Sequence, residues 1–137
     1  MAFKKLEPLL SHKVFRWASG ISALVATALL ALGSLMADPS MRPAHSGLAM
    51  AFVVTSLLAG LSGMRYGKES NNKGLTGHGL GVFGVGLLQF ALGELGVVML
   101  HMVLGVLVVG GAIMLFMMSL KQPSVVTAAD ADPAATS

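Results

Sequence analysis

The sequence predicts an all-α, integral membrane, antiparallel four-helix bundle built from two helical hairpins. Three observations predict it. Of 137 residues, 55% are apolar and 11% are charged, whereas a soluble domain usually carries about 25% charge. The apolar residues gather into four stretches, each near the ~20 residues a helix needs to cross a bilayer. The basic residues stand at the ends of those stretches, where they set orientation. The net charge of +3 is therefore not a nucleic-acid signal. The absence of cysteine excludes disulfides, thiolate metal sites, iron–sulfur clusters and covalent c-type heme attachment.

The first span is read over residues 17–37. It is preceded by Lys4, Lys5, Lys13 and Arg16, as a signal peptide would be. Its apolar core of roughly 20 residues exceeds the 7–15 of such peptides, and Leu35 makes a poor cleavage context, so it reads as a retained helix. Asp38-Pro39-Ser40 breaks it from the second span, residues 44–64, with Pro43 suited to a first helical turn. Residues 65–74 read as a polar loop. The third span, residues 75–92, and the fourth, residues 97–120, are joined by the tight hairpin Gly93-Glu94-Leu95-Gly96. The transmembrane domain is thus residues 1–122. Residues 123–137, rich in Ala, Asp, Thr and Pro, read as a disordered cytoplasmic tail.

Of the nine Lys and Arg, only Arg42 falls on the outer side of this layout. The positive-inside rule then puts both termini in the cytoplasm, with a bacterial inner membrane the expected location. The two hairpins also resemble each other. In the first, Leu32-Gly33 precedes a turn and His45; in the second, Leu92-Gly93 precedes a turn and His101.

One histidine lies at or near the start of each span: His12, His45, His78 and His101. A histidine within an apolar helix is costly and needs a reason. His45 and His101 share the outer side, and two neutral imidazoles facing across a bundle suit the axial positions of one heme iron. One turn deeper stand Ala49 and Gly105, small enough for a ring to lie against the backbone. Phe52 and Val108 would add apolar walls, and Arg42 could pair with propionates. A polar residue in a bundle often bonds only a neighbouring carbonyl, and that is the competing account of either histidine alone. His12 and His78 could form a second, inner site, against an ordinary interfacial role.

The chain resembles one four-helix half of the heme A synthase family over roughly residues 15–120. The matching features are His45 on the second helix, His101 on the fourth, and Leu88-Gln89 followed by Leu92-Gly93 before the last hairpin. The resemblance implies heme ligation by His45 and His101. Met41 stands where the catalytic half of that family has a glutamate one turn before its first ligand, and the family's loop cysteines are absent. Glu94 is the acid near the outer histidines, and it reads as a solvated turn residue. The implied role is holding heme b and carrying electrons, with no catalytic residue assigned.

Two other roles are consistent with the sequence: a structural or chlorophyll-binding small subunit of a respiratory or photosynthetic complex, and a half-size heme A synthase-like enzyme. The expected partners are the lipid bilayer and other membrane subunits or further copies of the chain, with no nucleic acid. A transporter is disfavoured because the spans lack the ionisable residues of a coupling path. Gly47, Ala51, Thr55, Ala59 and Gly63 recur every four residues, and Gly77 and Gly81 repeat the spacing. Both sets read as helix-packing stripes. Met114, Met117 and Met118 are scattered around the last helix, which points to core or lipid contact rather than copper. Gln89 is expected to bond a neighbouring helix.

Overall fold

A computed structural model describes residues 2–35 and 38–121. The tail reading of 123–137 and the boundary at residues 36–37 lie outside the described residues. Helix α1 spans Ala2–Ser34, α2 Arg42–Glu69, α3 Lys73–Glu94 and α4 Val98–Ser119, with a short 3-10 turn at Pro39–Met41. All four helices are long and apolar enough to cross a membrane.

The helix ends follow from local chemistry. Asp38 accepts the Ser40 N–H at 2.9 Å and starts the 3-10 turn; Pro43 then falls in the first turn of α2. α2 continues five residues past Met64 instead of ending there. Arg65 Nε donates to Glu69 Oε1 at 3.1 Å, one turn on, and Arg, Lys and Glu favour helix as readily as the apolar residues before them. The expected ten-residue loop shrinks to residues 70–72. Asn71 takes a left-handed φ of 53°, and the Asn72 side chain accepts the Leu75 N–H at 3.3 Å to cap α3. α3 ends in a Schellman turn: Val97 N–H reaches the Leu92 carbonyl at 3.0 Å and Gly96 N–H the Gly93 carbonyl at 3.2 Å. Gly96 holds the φ of +71° that this turn needs and side chains avoid.

α1 packs on α2 and α4, and α3 packs on the same two. α2 and α4 therefore face each other diagonally. Many of the most buried residues are small: Ser19, Ser22, Ala26, Ser56, Ala59, Ala112 and Ser119 are each no more than 1% exposed, beside the fully buried Phe15 and Leu115. Many large apolar side chains point outward, among them Trp17 at 73%, Leu24 at 71% and Met99 at 78%. This distribution suits lipid, which solvates leucine well, so that tight packing of small residues holds the helices together. Three of these serines bond carbonyls of their own helices: Ser19 that of Arg16, Ser56 that of Val53 and Ser119 that of Phe116.

Three aromatic rings sit on glycines of neighbouring helices. A Cβ at Gly63 would lie 2.9 Å from the Phe15 ring, one at Gly86 2.6 Å from Phe52, and one at Gly20 3.1 Å from Phe116. α2 and α3 cross backbone to backbone where Gly60 meets Gly79. The four-residue stripes behave differently from expectation. Ala59 and Gly63 are buried, but Gly47 faces open space, as do Gly77 and Gly81. With 3.6 residues per turn, a strict four-residue repeat turns about 40° per step, or about 160° from Gly47 to Gly63. It cannot stay on one face. Met114 and Met117 are exposed and Met118 packs against the inner core.

Candidate functional site

His45 and His101 are each the fourth residue of their helix. The Pro39–Met41 turn precedes the first, and the Schellman turn at Gly96 the second, by a similar short distance. Although α2 and α4 are diagonal, the two imidazoles meet across the bundle, with ring centroids 6.2 Å apart and planes at 62°. Each ring lies beside a glycine in the last turn of the preceding helix. A Cβ at Gly33 would be 3.6 Å from His45 Cε1, and one at Gly93 would be 3.0 Å from His101 Cε1. The two hairpins thus place their histidines in matching settings.

The ring nitrogens are not equivalent. His101 Nδ1 donates to the Gln89 carbonyl at 2.9 Å. In the neutral ring this leaves the Nε2 lone pair available, the arrangement commonly imposed on metal-binding histidines. His45 Nδ1 is buried and takes no partner among the described residues. The Gln89 side chain donates back to the His101 carbonyl at 2.5 Å.

The other sequence candidates fall around this pair. Ala49 is half-buried one turn below His45. Phe52 and Val108 are buried with Ala23, Ala26, Val82 and Ala112, and form a packed apolar floor. Arg42 is exposed at the start of α2, one turn before His45. Gly105 faces Gln89: a Cβ there would lie 2.9 Å from the amide nitrogen. The space the sequence reserved at Gly105 for a ring is taken by that amide. Sequence reasoning placed Gln89 in an interhelical bond but missed its link to His101. The spacing shared by Gln89-x-x-x-Gly93 and His101-x-x-x-Gly105 was the available signal.

His12 and His78 do not pair. His12 Nε2 donates to the Ser119 carbonyl at 2.8 Å, one of the carbonyls a helix C-terminus leaves unpaired, and its ring packs on Tyr66 with centroids 4.9 Å apart. His78 Nε2 donates to the Gly111 carbonyl at 3.0 Å. Each spends its nitrogen on α4. At the same end Ser11 bonds Glu69.

Among the described residues no group of three or more His, Asp or Glu could enclose a metal ion. No protein-family model, curated protein or solved structure matches the chain.

Proposed function

We propose that this chain is an integral membrane protein of the bacterial inner membrane, with both termini cytoplasmic, that holds one heme b between His45 and His101 near its outer face. It serves as an electron carrier or as the heme-bearing subunit of a redox complex. The observation that carries this reading is the facing imidazole pair. Two imidazoles that would hold one ion from opposite sides, each through a nitrogen at about 2.0–2.1 Å, have centroids roughly 6 Å apart, and these are 6.2 Å apart.

The donor count favours a macrocycle over a bare ion. A structural zinc site takes four protein ligands and a catalytic one three. Heme would bring its own nitrogens to the iron and would need only two further ligands, which His45 and His101 would give. The unpartnered His45 Nδ1 leaves that ring able to turn either nitrogen inward, and the Gln89 carbonyl fixes the other ring.

The residues then divide the work. His45 and His101 would ligate, Ala49, Gly33 and Gly93 keep bulk away from the rings, Phe52 and Val108 close the floor against water, and Arg42 can meet propionates at the rim. Bound heme would supply a one-electron iron couple, tuned by the residues that hold it and by burial.

The test is the absorption spectrum of the purified protein with and without added hemin. A Soret band with sharp reduced α and β bands is expected. A red tetrapyrrole band would point to chlorophyll, and no chromophore under either condition would leave a structural subunit; both outcomes overturn the proposal.

A further inference from the structure

Gln89 and His101 are joined by two hydrogen bonds running in opposite directions between α3 and α4. The His101 Nδ1–H donates to the Gln89 carbonyl, and the Gln89 amide donates to the His101 carbonyl. Each side chain also lies over a glycine four residues along the partner helix. His101 crosses Gly93, and Gln89 crosses Gly105, at 3.0 Å and 2.9 Å from the Cβ that an alanine would bring. Gln89-x-x-x-Gly93 and His101-x-x-x-Gly105 are therefore two halves of one reciprocal contact.

We infer that Gln89, seated by Gly105, is a positioning residue that presets His101 as the fixed ligand of the pair, with its Nδ1 held as a donor and its Nε2 lone pair left free for a ligand bond. The inference rests on the heme reading for its purpose but not for its geometry.

The first hairpin supplies a comparison within the same chain. Aligning Gly33 with Gly93 and His45 with His101 puts Leu29 at the place of Gln89 and Ala49 at that of Gly105. Leucine has no donor to hold the opposite backbone, and alanine carries the methyl that would obstruct an amide. His45 Nδ1 accordingly has no partner among the described residues, while His101 Nδ1 has one. A ligand is oriented by the hydrogen bond its other nitrogen makes, and only His101 has this bond. The amide also keeps a buried Oε1 with no partner among the described residues. An unsatisfied buried carbonyl is destabilising, which argues against Gln89 being there for packing alone.

The experiment uses the full chain in detergent with 15N-labelled histidine, first without hemin, at about pH 8, where a free imidazole is neutral. His101 is assigned by its loss in His101→Ala. The wild type should show His101 protonated on Nδ1. Gln89→Met, close in volume, and Gly105→Val, which displaces the amide, should both lose that preference. Both should weaken hemin binding by about 10–100-fold and change the spread of g values of the ferric low-spin signal, which reports the angle between the two imidazole planes. Gly77→Val, facing open space, should change none of these. The wild-type tautomer needs no variant to fold. A wild-type His101 protonated on Nε2 overturns the inference, and so do variants that keep the Nδ1 tautomer and hemin affinity while the wild type binds hemin. Hemin failing to bind a wild type with the stated tautomer would defeat the heme reading instead, and reduce the contact to a packing device.

Discussion

Gly86→Ala tests the packing logic of the bundle at the seat of Phe52. The new methyl would stand 2.6 Å from Phe52 Cε1, where carbon atoms prefer about 3.5–4.0 Å. Phe52 is 4% exposed and walled by Ala23, Ala26, Val82, Val108 and Ala112, so the ring has little room to retreat. Overpacking of this kind costs about 1–3 kcal/mol. Replacing glycine in a helix interior returns up to about 1 kcal/mol of intrinsic propensity, which obscures the effect in a single variant. Gly81→Ala removes that ambiguity. It lies on the same helix with nothing within 4 Å of its Cβ, so it gains the propensity without the clash. The difference between the two variants should therefore be about 1–3 kcal/mol, with Gly86→Ala the less stable. Reversible unfolding in mixed micelles measures it. Two variants equal within about 0.5 kcal/mol, the usual scatter of surface substitutions, would refute the placement of Phe52 on Gly86.

Reporter fusions at Asn71 and at the C-terminus should both read cytoplasmic; an outside reading at either would break the four-span topology. Ala59→Leu, at a fully buried position, should lower detergent stability by at least about 1–3 kcal/mol, and unchanged stability would put that face in lipid. His12→Ala should leave the spectrum of bound heme unaltered, because its Nε2 is engaged by the Ser119 carbonyl; a lost or split band would point to a second, inner heme.

The four spans could be read from the chain because a bilayer demands long apolar segments, and the turns at Asp38-Pro39 and Gly96 interrupt them with residues that few other structures need. The place of His45 and His101 one turn into α2 and α4 was legible for the same reason: each follows a turn by a short fixed distance. Which glycine faces inward was not. Gly79 and Gly86 are packed while Gly77 and Gly81 are open, yet a helix apolar on every side has no period to distinguish them. The extension of α2 to Glu69 was missed because the edge of the apolar stretch was taken as the edge of the helix, and backbone hydrogen bonds do not depend on that edge. The contact of Gln89 with His101 required the register between α3 and α4, which the Schellman turn sets and which composition does not carry.

The central claim is that one cofactor sits between His45 and His101, and the most direct measurement is hemin titration of the wild type beside His45→Ala and His101→Ala, followed by absorption. The wild type should give a low-spin spectrum with sharp reduced bands, and each variant should lose it, since each removes one of the two imidazoles that would hold the iron. An unchanged low-spin spectrum and hemin stoichiometry in both variants would contradict the claim.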